Sequence, residues 1–201
     1  ATLRLGCTTA SYDAEHEIDG TYPTAHITRE MVDEVLSRFH GEIMQVPPVY
    51  SAVKVDGKRA FAYARDKEDV ELKAKPLVID EIELLDINLP EQGIVSPNAD
   101  EVAGTIKAGV RIKEYGRRLQ HIEDVEVESE IVPYIKIRVV CSKGTYIRAL
   151  ARDIGEALQS GAYLIGLRRT RVGDIRIEDC LPVNNVEDWA ANVPIVEDME
   201  N

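Results

Sequence analysis

Eight consecutive residues carry the groups best suited to chemistry: Cys141-Ser142-Lys143-Gly144-Thr145-Tyr146-Ile147-Arg148. A glycine, an aromatic ring and a guanidinium fall within five residues. The ring can stack on a planar partner or simply pack the junction. The guanidinium is permanently charged and can hold a carboxylate or a phosphate. Upstream, Ile135, Ile137, Val139 and Cys141 alternate onto one face of a strand. Downstream, Ile147, Leu150, Ala151, Ile154 and Leu158 recur at helical spacing, with Thr145 as the expected N-cap. Gly144 can take the positive φ that a tight strand-to-helix turn needs. Tyr146 and Arg148 are therefore expected at the mouth of this element, where a sheet delivers side chains into a cleft.

The elements that position this stretch are punctuated clearly. Gly6 to Pro23 is polar and reads as a loop containing Asp13 and Gly20. Thr28 should cap a helix running to Phe39, with Met31, Val32, Val35, Leu36 and Phe39 as its buried stripe and Gly41 as its stop. Pro47-Pro48 forces an extended approach. Val53 to Lys58, with Asp56-Gly57 at its tip, predicts a hairpin, and a short helix follows from Ala60 to Arg65. Leu77 to Asn88 reads as a strand. Residues 89–132 read as a surface insertion, opened by turn formers, with Lys107, Arg111, Lys113, Arg117 and Arg118 in its middle and acids at its end. An acidic segment, 174–201, closes the chain, with one helix-like turn expected near Val186 to Ala191.

A net charge of −12 argues at face value against a nucleic-acid partner, but the distribution is uneven. Between Lys143 and Arg171 six basic residues (Lys143, Arg148, Arg152, Arg168, Arg169, Arg171) face only Asp153 and Glu156. Between Val49 and Arg65, Lys54, Lys58, Arg59 and Arg65 face only Asp56. Positive charge thus sits beside the chemistry. The hydrophobic content of 44% permits a sizeable core, and 5% aromatics leaves it to aliphatics. Three cysteines without CxxC spacing indicate neither a disulfide framework nor a zinc site. His16, His26, His40 and His121 are scattered and expected on the surface. No apolar run reaches membrane-spanning length, and a reducing, cytoplasmic setting is expected.

Five blocks in order resemble the tRNA pseudouridine synthases of the TruB type. They are Leu5-Gly6 with Thr9 and Asp13; Gln45-Val46-Pro47-Pro48-Val49-Tyr50-Ser51-Ala52-Val53-Lys54; Gly57 to Arg65; Cys141 to Arg148; and Leu164-Ile165-Gly166-Leu167-Arg168-Arg169. The resemblance implies an α+β fold, the pseudouridine synthase catalytic domain, with a mixed, largely antiparallel sheet and flanking helices. Residues 1–88 and 133–190 would form the later portion of one such domain, with 47–74 as an RNA-clamping region; no second RNA-binding domain is recognised.

The implied activity is isomerisation of a flipped-out uridine, position 55 in the T-arm of tRNA, with tRNA as partner and with no cofactor, metal or membrane. By resemblance Tyr146 stacks on the extruded base, Leu167 lines the uracil pocket, and Arg148 pairs with the nucleophilic aspartate. Tyr50, Lys54, Lys58, Arg59, Lys143, Arg168 and Arg169 would contact RNA. The alternatives are a junction-packing tyrosine, a phosphate-binding arginine and a core leucine.

One departure matters. The family's Gly-x-Leu-Asp-Pro-x-Ala-Thr-Gly block, which carries the nucleophile, is not among these residues. The chain opens inside a strand, Ala1 to Gly6, read as N-terminally truncated and needing backbone partners from a missing segment or a separate chain. Asp13 lacks the Leu-Asp-Pro context and is not expected to replace the nucleophile. Arg148 is left with no carboxylate to orient, and this polypeptide alone is expected to be inactive. Two rival readings are a non-catalytic RNA-binding or RNA-folding module of the same fold and an RNA-guided relative. An acidic protein-interaction module leaves Lys143 to Arg148 unexplained.

Overall fold

In a computed structural model the described residues are 1–66, 68–89 and 132–186. They divide into two compact units, one holding the described residues up to Leu167 and the other those from Arg168 on.

The first unit is built on strands β1 (Thr2–Leu5), β4 (Gly41–Gln45), β7 (Lys75–Asn88), β8 (Tyr134–Cys141) and β9 (Ala162–Gly166). They form one sheet in the order β4-β7-β8-β1-β9, and every ladder is antiparallel. Helix α1 (Arg29–Arg38) and helix α3 (Ile147–Ala157) pack on it, while α2 (Ala60–Asp66) follows a small hairpin, β5 (Lys54–Val55) and β6 (Lys58–Arg59). The α+β expectation is met. Its physical basis is legible in the burial: Leu3, Leu5, Ile79, Ile135 and Ile137 of the sheet join Val32, Val35 and Leu36 of α1 and Leu150, Ile154 and Leu158 of α3 in one aliphatic cluster. Each such side chain removed from water contributes about 1.5–3 kcal/mol before chain entropy is set against it.

Local signals hold at most boundaries. Thr28 accepts a hydrogen bond from the Met31 N–H at 3.2 Å and caps α1. Asp56 and Gly57 both have positive φ, 50° and 83°, as a two-residue hairpin turn demands.

Three expectations are corrected. Gly6 to Pro23 is not a loop throughout: β2 (Cys7–Thr9) and β3 (Ile18–Thr21) pair antiparallel. Their sequences, Cys-Thr-Thr and Ile-Asp-Gly-Thr, are too short and polar to show an alternation. Secondly, β1 is not short of backbone partners, because β8 and β9 flank it on both sides within this chain. Thirdly, Thr145 does not cap α3. Its hydroxyl donates back to the Ser142 carbonyl at 2.9 Å, and Tyr146 is the N-cap residue without a side-chain cap.

In the second unit β10 (Arg171–Val172) and β11 (Ile175–Arg176) make a two-stranded hairpin turning at Gly173, whose φ is 57°. Single 3-10 turns follow at Ile177–Asp179 and Val183–Asn185. The predicted insertion, apart from Leu89 and Val132, and the turn predicted beyond Val186 lie outside the described residues.

Candidate functional site

The turn from β8 into α3 places Tyr146 and Arg148 at the first turn of the helix. Gly144 takes a φ of 89° to make that turn, with nothing near its missing Cβ, so backbone conformation alone favours glycine there. Ala149, Leu150, Ala151 and Ile154 are fully buried, which fixes the roll of α3 and leaves Tyr146 and Arg148 half-buried on its open side. Tyr146 is held by its backbone. Gln45, the last residue of β4 and almost fully buried, accepts from the Tyr146 N–H at 3.0 Å and donates to the Tyr146 carbonyl at 3.2 Å. The tyrosine hydroxyl has no hydrogen-bond partner among the described residues.

Arg148 has a carboxylate partner within the chain after all. Its Nη1 donates to Asp13 Oδ2 at 2.7 Å, and its Nη2 donates to the Tyr50 carbonyl at 2.9 Å. The pair is largely shielded, with side-chain exposures of 24% and 15%. A charge-assisted bond in that setting is stronger than an exposed ion pair. The expectation that Arg148 has nothing to orient is therefore corrected: the two residues are 135 positions apart, and only the fold brings them together.

Asp13 is itself fixed from several sides. Oδ1 accepts from the Ser11 hydroxyl at 2.5 Å and from the Glu15 N–H at 3.0 Å. Its carbonyl accepts from Thr9 Oγ1 at 2.7 Å. Tyr12, just before it, sits at φ 58°, unusual for a residue with a Cβ, and its carbonyl accepts from the Leu164 N–H at 3.0 Å. A parallel bridge then joins Asp13 to Leu164 in β9. Leu167 lies three residues beyond that bridge, 53% exposed just past the end of the strand.

A second arginine supports the first. Arg152, one turn along α3, donates to the Val46 carbonyl at 2.9 Å, pairs with Asp153 at 2.7 Å, and sits over the Tyr12 ring at 5.2 Å. Burial pushes the Asp153 carboxyl up from its usual range, and the Arg152 guanidinium partly offsets this. Arg148 and Arg152 therefore hold the carbonyls of Tyr50 and Val46, on either side of Pro47-Pro48, which have no N–H groups of their own to offer.

The expected RNA contacts fare unequally. Lys54, Arg59 and Lys143 are exposed. Arg59 lies over the Phe61 ring at 6.0 Å. Lys58 is already engaged: it pairs with Asp66 at 2.6 Å and Glu68 at 2.8 Å and lies 4.5 Å from the Tyr63 ring centroid. The hydrogen bonds it donates to those two carboxylates hold its ammonium above the usual lysine range. The charge excess read between Val49 and Arg65 stops one residue short of the first acid that cancels it. Arg168 and Arg169 are exposed in the second unit. Sequence reasoning missed Ser11, Gln45, His16 and Arg152. Gln45 stood at the head of a recognised block, but nothing in a single sequence shows that its side chain faces Tyr146. Among the described residues no group of three or more His, Cys, Asp or Glu side chains is arranged to hold a metal.

Comparison with known proteins agrees with the motif blocks. A family model described as the TruB family pseudouridylate synthase, N-terminal domain, matches residues 1–106, and one described as the tRNA pseudouridylate synthase B C-terminal domain matches residues 148–198. The chain is 55% identical over 197 residues to a tRNA pseudouridine synthase B of Phocaeicola vulgatus, covering 98% of this chain and 66% of that protein. It is 54% identical over 201 residues to one of Bacteroides thetaiotaomicron, covering 100% of this chain and 68% of that protein. It thus spans about two thirds of the length of these relatives. A solved structure described as a Cbf5-Nop10-Gar1 complex aligns at 21% identity and a TM-score of 0.49, over 94% of this chain and 34% of that one.

Proposed function

The chain belongs to the TruB family of pseudouridylate synthases, and on that footing we propose that it serves the isomerisation of uridine to pseudouridine in tRNA, at position 55 of the T-arm. The observation that carries this reading is the Arg148 guanidinium, held between Asp13 and the Tyr50 carbonyl one residue pair along from Tyr146.

The reaction breaks the bond from ribose to the uracil nitrogen, turns the ring, and forms a bond from ribose to a ring carbon, whose proton is lost as the nitrogen gains one. No atom is added and no electron is exchanged. The target base must leave its stack, which costs a few kcal/mol. Stacking on Tyr146 returns roughly 1–3 kcal/mol of that. Leu167, exposed one residue past the end of β9, the strand that Asp13 bridges, is assigned to the rim of the uracil pocket.

An attacking carboxylate has to be ionised and aimed. A guanidinium carries five donors, and Arg148 spends one from each Nη on Asp13 and Tyr50, leaving donors for a second carboxylate. We assign that second acid to the family's Leu-Asp-Pro block, not to Asp13, whose two oxygens are already occupied by Ser11, Glu15 and Arg148. These residues alone then bind tRNA weakly and turn over nothing. Lys54, Arg59 and Lys143 supply phosphate contacts, which position the RNA without reading its sequence.

The test is direct. Unmodified tRNA is incubated with the 201-residue polypeptide and with a chain that also carries the Leu-Asp-Pro block, and pseudouridine is assayed at position 55. Product from the longer chain only is expected; robust turnover by the shorter one sinks the assignment of the nucleophile. A non-catalytic RNA-binding role has one observation in its favour, that Asp13 satisfies Arg148 without any further acid. It predicts tRNA binding with no product from either chain.

A further inference from the structure

His16 closes a circuit of contacts that otherwise links only residues of the proposed site. Its Nδ1 lies 2.8 Å from Ser11 Oγ, and its ring centroid lies 4.6 Å from that of Tyr50, tilted by 50°. Ser11 bonds Asp13, Asp13 pairs with Arg148, and Arg148 bonds the Tyr50 carbonyl, which returns the path to His16. Five residues from three distant stretches of chain are joined in one circuit, closed through the Tyr50 backbone.

The direction of the bonds fixes the histidine. Ser11 has one hydroxyl proton, and the 2.5 Å contact with an ionised carboxylate claims it. Ser11 Oγ then faces His16 with lone pairs only, so Nδ1 must carry the proton of that bond. Ser11 is fully buried, so losing that donor leaves an oxygen short of a partner where water does not replace it. His16 itself is exposed and bears no packing role in the core.

We propose that His16 is a positioning residue with two separable arms. Through Ser11 it sets the angle at which Asp13 meets Arg148, and through its ring it sets the face that Tyr50 presents to RNA. This rests on the function proposed above, and it adds a residue that the motif blocks leave unassigned. The first arm acts through Asp13 on Arg148, the group that aims the attacking carboxylate, and so on the chemical step. The second acts on RNA contact and so on binding.

Two substitutions separate them. His16→Phe keeps a ring against Tyr50 but removes the donor to Ser11; His16→Asn keeps a nitrogen donor near the place of Nδ1 but removes the ring. Each is made in a chain carrying the Leu-Asp-Pro block and assayed on unmodified tRNA. His16→Phe is expected to lower kcat about tenfold with little change in KM, and His16→Asn to raise KM several-fold with little change in kcat. Identical behaviour of the two variants, whether both silent or both impaired in one parameter, overturns the proposal. Absence of product from the unsubstituted chain instead condemns the underlying function. Nitrogen NMR of the 201-residue polypeptide tests the same idea without turnover: Nδ1 must carry the proton, and a ring protonated at Nε2 alone refutes it.

Discussion

Gln45 grips Tyr146 by both polar groups of its backbone, accepting from the N–H and donating to the carbonyl across 101 residues of sequence. The side-chain amide takes the place of one more rung of sheet. It ties the end of β4 to the start of α3, where no capping side chain is present. Gln45→Leu removes both bonds and leaves the Tyr146 N–H without a partner, while the Tyr146 carbonyl keeps the Leu150 N–H. A loss of about 1–3 kcal/mol of stability is expected in denaturant unfolding, with a larger effect on turnover than Lys143→Ala produces.

Arg148→Lys keeps the charge but cannot serve Asp13 and the Tyr50 carbonyl in one plane. In a chain bearing the nucleophile block, kcat should fall by at least about tenfold while tRNA affinity changes little. Asp13→Asn should lower kcat in the same direction, and the double substitution should cost less than the two single effects combined. Additive losses would show that the pair does not act as a unit.

Tyr146→Phe retains a stacking face and Tyr146→Ala does not. Since the hydroxyl has no partner among the described residues, the phenylalanine variant should bind tRNA nearly as well as the parent. The alanine variant should lose about 1–3 kcal/mol of base-stacking energy, read from competition binding. Equal losses in both would move the tyrosine's role to its hydroxyl.

Lys58 and Arg59 are neighbours with opposite expectations. Arg59→Ala should weaken tRNA binding and reduce the salt slope by roughly one counterion. Lys58→Ala should leave that slope almost unchanged, because Asp66 and Glu68 already neutralise the ammonium. Binding isotherms over a range of salt concentrations separate the two.

Asp153 gives a pH signature. Its carboxyl holds a proton more tightly in the folded state than in the unfolded chain, chiefly because it is buried. In the window between its ordinary value of 3.8 and its raised one, the folded state binds more protons, so this residue's contribution to stability falls as pH rises. Asp153→Asn removes that component. The difference between variant and parent unfolding curves should therefore change across the acid range and flatten at neutral pH; a flat difference throughout refutes the assignment.

Elements with a strong local signature were legible. The alternation of Ile135, Ile137 and Val139, the stripe of α1, the Asp56-Gly57 turn and the positive φ of Gly144 each follow from residues close in sequence. The β2–β3 hairpin was not, since three threonines, an aspartate and a glycine dominate its seven strand residues and hide its period. Within the site, Tyr146 and Arg148 announced themselves by type and spacing. Asp13, Ser11 and Gln45 did not, because their roles are set by partners more than a hundred residues away or by one buried hydroxyl. Thr145 shows the converse: a residue of the right type beside a helix start, whose hydroxyl turns back to Ser142.

The two arginines of α3 seize the carbonyls of Val46 and Tyr50, and the Pro47-Pro48 step is stretched between those anchors. Any rearrangement of the chain beyond Ser51 would therefore have to pivot downstream of Tyr50. On the function proposed above, the pull of a large substrate on that segment would fall on a mount built into the helix, and the contact of Arg148 with Asp13 would be insulated from it.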